Sequence, residues 1–358
     1  MTTKSYREMR ILAIFLLFLG LIVQGEPVSV TPILSTPQAP RYFRWVLGAI
    51  EAAEREILVM LSDCRRYAPP SEANALLDAL VEAVGRGVEV KVLLERGDEV
   101  PPEEEAAFTY LAENGIEVRW DDPEITLHAK LLVFDRTEVI LGSTPWTYNG
   151  LFRSVQVDLA VHSPTVAEVF RRFFGFLWEG RYRVETEMGG VSGPAFVPLP
   201  EFPEGEALHL ELAARLLDGA QEEVDLCLYM LRRYPWESPV NRLTDSLVSA
   251  ATRGVRVRVL LEGGETWMEP EFVSEAREVA IYLLLHGVEV RFDPPNSTLH
   301  AKFLVVDGED SVISSANWAY YSLIKNVEAG VAFLGTPAVS AVLGDFFEAL
   351  WARARPLP

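Results

Sequence analysis

A chain of 358 residues has room for two ordinary domains or one large duplicated one, and 49% apolar residues suit a globular protein with a real core. The formal net charge of −20 weighs against a protein that grips a nucleic-acid backbone along a basic face, and against electrostatic adsorption to an anionic bilayer. Two cysteines, Cys64 and Cys227, occupy non-equivalent places in the repeat described below, which excludes a duplicated metal pair. The reading is two buried free thiols, with one disulfide as the alternative in an oxidising compartment.

In chain order, Lys4, Arg7 and Arg10 precede an apolar run over residues 11–23. Its length suits the core of a signal peptide, or an uncleaved anchor, and is short for a bilayer span. Residues 1–25 are therefore read as a targeting segment, and the bulk of the chain as extracytoplasmic, either secreted or anchored to the membrane. Residues 26–41, rich in Pro, Ser and Thr, read as an extended tether. The first half, 42–187, opens with a helix over 42–55 and an apolar strand over 57–61. The triplet Arg65-Arg66-Tyr67 comes next, then an amphipathic helix over 72–87 and strands over 88–95 and 115–120. A strand over 126–134 turns within three residues into its partner over 138–142. A strand over 155–161 and a long helix over 164–179 close the half. Gly and Pro crowd residues 188–206, which read as a linker. The second half, 207–358, repeats the order, including Arg232-Arg233-Tyr234. Strands alternating with helices predict an α/β fold: an internally duplicated chain whose two similar mixed sheets are flanked by helices.

The repeat carries chemistry. Thr-Leu-His-Ala-Lys occurs at 126–130 and again at 298–302, followed by Asp135 and Asp307, then by Gly142-Ser143 and Ser314-Ser315. On a strand, His128 and Lys130 share a face, as do His300 and Lys302. One neutral histidine attacks phosphorus, the other protonates the leaving oxygen, and the lysines hold the anionic transition state. This chemistry needs no cofactor and no metal. The other three histidines, His162, His209 and His286, lack repeat partners and read as structural.

The doubled pattern His-x-Lys-x4-Asp-x6-Gly-Ser-x-Asn resembles the phospholipase D superfamily over residues 42–355. That family includes phospholipases D, cardiolipin-synthase-type transferases, phosphatidylserine synthases, a small nuclease and DNA-end-processing phosphodiesterases. The resemblance implies a pseudo-twofold arrangement with the active site between the halves. It makes His128 and His300 nucleophile and general acid, with precedent favouring His128 as the nucleophile, and makes Lys130 and Lys302 phosphate ligands. Ser143, Ser315 and Asn317 would bind substrate, and Asp135 and Asp307 would brace the motif turn. Carboxylates on the next strand, Asp158 and Glu328, would join the catalytic set by fixing each imidazole. Two departures stand out: Pro145 replaces the family Asn, and Ser314 replaces the family Gly. Pro145 removes one side-chain donor and one N–H, which leaves the nucleophile assignment open to reversal. The Arg-Arg-Tyr triplets line the cleft or are ordinary surface charges with a packing Tyr. Trp146 and Trp318 line the substrate entrance or pack in the core.

The leading expectation is an exported or membrane-tethered phosphodiesterase that hydrolyses or transesterifies phospholipids through a phosphohistidine, acting as a monomer at a membrane surface. The alternatives are an extracytoplasmic nuclease, which the acidity disfavours, and a non-catalytic phosphate-binding module.

Overall fold

The computed structural model describes residues 28–183, 196–264 and 269–357. The targeting segment expected over 1–25 lies outside them, as do residues 188–195 of the expected linker.

The first half comprises β1 (Ser29–Ser35), α1 (Arg41–Ala52), β2 (Glu56–Leu61), α2 (Ala75–Gly85), β3 (Glu89–Leu94), α3 (Pro102–Glu113) and β4 (Glu117–Trp120), then β5 (Lys130–Phe134), β6 (Glu138–Gly142), α4 (Tyr148–Phe152), β7 (Ser154–His162) and α5 (Pro164–Trp178). The second comprises β8 (Phe196–Glu201), α6 (Leu208–Gly219), β9 (Glu223–Leu228), α7 (Asn241–Thr252), β10 (Arg256–Leu261), α8 (Pro270–Leu285) and β11 (Glu289–Phe292), then β12 (Thr298–Leu299), β13 (Phe303–Val306), β14 (Asp310–Ser314), β15 (Glu328–Phe333), α9 (Pro337–Trp351) and β16 (Arg355–Pro356). The sheets run β1-β7-β6-β5-β2-β3-β4 and β16-β11-β10-β9-β13-β14-β15-β8. In each, three parallel strands adjoin an antiparallel meander. Strand β2 is buried at all six residues, as a strand covered on both faces must be. Helix α1 buries Tyr42, Val46 and Ile50, a stripe at steps of four. The central core joins the halves: Leu58, Phe170 and Phe173 belong to the same apolar cluster as Phe303 and Phe347.

Two expectations about connectors are corrected. The tether contains β1, paired antiparallel with β7 over seven residues. The linker contains β8, paired in the same way with β15. Both are edge strands, where one side needs no ladder donor, so Pro32, Pro198 and Pro200 are tolerated. The strand expected over 126–134 is also shorter than read. Only Lys130–Phe134 belongs to its own sheet. The residues before it cross to the other half, where Leu127 bridges Val327 and the His128 N–H donates to the Val327 carbonyl at 2.9 Å. Reciprocally, β12 pairs with β7, and the His300 N–H donates to the Val155 carbonyl at 2.9 Å. Each pentapeptide thus places its histidine N–H on the opposite half.

The motif aspartates make the hairpins. Asp135 and Asp307 sit at φ 50° and 52°, a left-handed conformation Asp tolerates better than most residues. The Asp135 carboxylate accepts the N–H groups of Glu54, Arg55 and Glu56, at 2.9, 2.7 and 3.0 Å. Asp307 does the same for Gln221, Glu222 and Glu223. These bonds tie each motif turn to the start of the neighbouring strand.

Candidate active site

The crossing pentapeptides bring His128, Lys130, His300 and Lys302 to the seam between the halves. Both lysines are buried, 1% and 2% exposed, and each ammonium donates to the carbonyl of its own motif histidine at 2.6 Å. Burial pushes Lys130 down to about 8. Lys302 lies well below its usual value through burial and then repulsion from Lys130. A phosphate between them would supply the negative charge that both lack.

The histidines have different partners. His128 Nδ1 lies 2.9 Å from both oxygens of Glu328. Burial raises the Glu328 carboxyl, but His128, Lys130 and the Ser315 hydroxyl together hold it below its usual value. His300 Nδ1 instead faces the Ser143 carbonyl and Gln156 Oε1, both at 3.0 Å. Burial lowers both imidazoles. On His128 Glu328 opposes the shift; on His300 Lys302, Lys130 and His128 deepen it.

Asp158 therefore does not do what the sequence suggested. His128 and His300 lie 172 residues apart, and the same offset carries Glu328 onto Gln156. Asp158 is fully buried and accepts the Thr144 N–H at 3.1 Å and the Thr144 hydroxyl at 2.5 Å. Burial pushes it up to about 7. It faces Gly142 across the ladder, where an added Cβ would meet Asp158 Oδ1 at 2.6 Å. In the second half the pair is inverted: Ser314 faces Gly330, whose absent side chain leaves that space. This accounts for the departure at Ser314.

Ser143 and Ser315 are 0% exposed. Their hydroxyls donate to Gln156 Oε1 at 2.7 Å and to Glu328 Oε2 at 2.5 Å, buttressing the groups that orient the imidazoles. Asn317 is buried, with an Oδ1 that has no partner among the described residues. At the equivalent place Pro145 packs on Gly150. Trp146 and Trp318 belong to the core, not the entrance; their indole N–H groups donate to the Tyr42 hydroxyl and to His209 Nε2. Of the triplets, Arg65 and Tyr67 line a cleft of about 830 Å3 with Asp63, Asn149, Tyr229 and His300. Arg66 and Arg233 lie over Tyr110 and Tyr282, while the Tyr67 and Tyr234 hydroxyls accept the N–H groups of Tyr148 and Tyr320. The triplets thus mainly brace the loops that follow the motif serines. Both cysteines are free and buried.

Sequence reading missed three features. Gln156 lies at the repeat offset from Glu328, but the acidic Asp158 beside it matches the expected carboxylate and hides it. Tyr229, whose ring packs edge-on against His300 at 4.8 Å, stands where the first half has Ser62 and gave no signal. The third is a pair of buried carboxyl pairs, one per half, at the ends of adjacent parallel strands. Glu95 accepts the Leu127 N–H and contacts Asp121; Glu262 accepts the Leu299 N–H at 2.6 Å and contacts Asp293. Each pair thus anchors the residue just before a motif histidine. Burial, and then the neighbouring carboxylate, raise Glu95 and Glu262. Asp121 and Asp293 each keep one buried oxygen without a donor among the described residues, which a proton shared within each pair would satisfy. Among the described residues no cluster of three or more His, Cys, Asp or Glu is placed to hold a metal ion.

Residues 46–178 and 214–351 each match the family described as cardiolipin synthase, PLD-like domain. The chain belongs to this family. It carries the phospholipase D-like domain in two copies, as the duplicated halves require. Among curated relatives, it is 25% identical to cardiolipin synthase B of Shigella flexneri over 321 residues, covering 81% of this chain and 73% of that protein. It is 24% identical to a mitochondrial cardiolipin hydrolase of Chlamydomonas reinhardtii over 135 residues, 38% of this chain and 54% of the relative. The match to the Chlamydomonas protein thus spans about half of that protein's length. In fold it is similar to phosphatidylserine synthase of Haemophilus influenzae Rd KW20, with a TM-score of 0.74 at 15% identity over 94% of this chain and 89% of that one.

Proposed function

We propose that this protein is a phospholipid phosphodiesterase or phosphatidyl transferase that works through a phosphohistidine. The observation that carries the reading is the convergence of two histidines and two buried lysines at the seam between the halves, each imidazole oriented from behind through Nδ1. An imidazole held in this way directs Nε2 at a phosphorus or a leaving oxygen, and two lysines that form no ion pair among the described residues attract a phosphodiester. The names of the Shigella and Haemophilus relatives, a cardiolipin synthase and a phosphatidylserine synthase, support a lipid substrate. The net charge of −20 disfavours the nucleic-acid alternative, since it opposes a nucleic-acid backbone. The basic residues ahead of the apolar run over 11–23 support action outside the cytoplasm, from a secreted or anchored chain that works as a monomer on a membrane surface. No helix among the described residues is long and apolar enough to cross a membrane.

The test is head-group release from mixed phospholipid vesicles by the full chain, with EDTA present, beside a His128→Ala, His300→Ala double variant. Release by the parent that the variant loses is the expected result. No release from any lipid would overturn the lipid reading. Turnover of single-stranded DNA with a steep salt dependence would then support the nuclease alternative.

A further inference from the structure

The two half-sites are chemically unequal directly behind the imidazoles, and the inequality has a mechanistic consequence. Gln156 takes the place of Glu328, and its orientation is set on both sides. Its Nε2 donates to the Gly150 carbonyl at 3.3 Å, while its Oε1 accepts the Ser143 hydroxyl at 2.7 Å. The oxygen therefore faces His300, next to the Ser143 carbonyl at the same imidazole nitrogen. Both groups only accept, so Nδ1 of His300 must carry the proton and Nε2 is left with its lone pair. Neither group is an anion. The charged groups that act most on His300 are Lys302, Lys130 and His128, all of which oppose a second proton; Asp63 and Arg65 line the same cleft, and Tyr229 packs on the ring. His128, in contrast, lies against the buried carboxylate Glu328, with Lys130 and Lys302 as its cationic neighbours. When a single proton is available to the two imidazoles, it resides on His128.

We infer that Gln156 fixes the division of labour in this site, making His300 the nucleophile and leaving His128, held on Glu328, as the proton donor. This reverses the order that family precedent suggested, and it rests on the phosphodiesterase reading above. In the first step Nε2 of His300 bonds to phosphorus as the bond to the leaving oxygen breaks, and the proton on Nε2 of His128 passes to that oxygen. In the second step neutral His128 takes a proton from water or an alcohol, whose oxygen bonds to phosphorus as the N–P bond breaks. Both histidines return to their starting states. Gln156 and Glu328 are positioning residues: they act through the imidazoles.

The experiment uses the full chain with two probes, phosphatidylglycerol–phosphatidylethanolamine vesicles and bis(4-nitrophenyl) phosphate. Nitrophenolate departs without a proton, so its release does not need a general acid. Alkaline quench and peptide mapping of the parent should place the phosphoryl adduct on His300. His128→Ala should lose roughly a hundredfold or more on lipid, yet still release a burst of one nitrophenolate per chain, because it lacks only the acid and the base for the second step. His300→Ala should lose the burst as well. Gln156→Glu would add a carboxylate beside His300 and make it more basic. The acid limb of its burst rate should move up by about one pH unit or more, which a loss of packing alone would not cause. An adduct on His128, or a burst that survives in His300→Ala, overturns the assignment while leaving the phosphodiesterase reading intact. A parent that turns over neither probe overturns both.

Discussion

The first and second halves share strand order, hairpin brace, lysine placement and carboxyl pair, yet they differ at four equivalent positions around one motif, two of which face each other across a ladder. Gly142 and Asp158 face each other where the second half has Ser314 and Gly330. Gln156 stands for Glu328, and Pro145 for Asn317. The first difference is compensated within a single cross-strand pair, since each half places its side chain on a different strand and a glycine opposite. The second is not compensated, because among the described residues no carboxylate hydrogen-bonds to His300, whose Nδ1 meets only a carbonyl and an amide oxygen. A duplicated fold thus tolerates exchange of volume across a ladder, whereas a change of charge beside the chemistry remains visible.

The largest effect should come from removing what the halves share. Lys302→Met should lower kcat by about 10²–10³-fold, the scale for loss of a group that stabilises transition-state charge, measured by head-group release with thermal melting as the folding control. Next is the compensated pair. Gly330→Asp places a side chain against Ile313 O and Ser314 Cβ, each 2.9 Å from where its Cβ would sit. It should cost about 1–3 kcal/mol, the range for overpacking. Combining it with Ser314→Gly should recover much of that loss, giving a coupling in a double-mutant cycle that independent sites would not show.

The carboxyl pairs test a property both halves share. A carboxyl whose folded pKa is raised binds more protons folded than unfolded. Its contribution is complete below the ordinary carboxylate range and is lost as pH rises through the raised value. Stability should therefore fall from about pH 5 to pH 8. Glu95→Gln with Glu262→Gln, each amide standing in for the protonated acid, should flatten that slope in denaturant titrations; an unchanged slope would place the titration elsewhere. The smallest effect is expected at Arg66, which lies over Tyr110 and pairs with Asp78 at a partly exposed site. Arg66→Ala should cost about 0.5–1 kcal/mol, and the equivalent Arg233→Ala a similar amount.

Much of this was legible in the chain because the repeat supplied an internal alignment. It identified the helices, the sheet strands and the histidine–lysine pairs, and its offset contained Gln156. That glutamine was missed because a carboxylate was sought, and Asp158, two residues on and on the same strand face, offered one. The edge strands were hidden for another reason. The partners of β1 and β8 lie more than a hundred residues away, so Pro and Gly were the only local signals. The crossing of the pentapeptides was equally invisible: residues 126–134 read as one strand whether or not the chain changes sheets midway.

The glutamine opposite a glutamate also says something about the history open to this chain. Two identical subunits related by a twofold axis must present identical groups to both histidines, so any substitution at that position changes both sides together. Joining the two copies end to end removes that constraint. Gln156 beside Glu328 is a difference that two identical subunits could not hold and a single duplicated chain can.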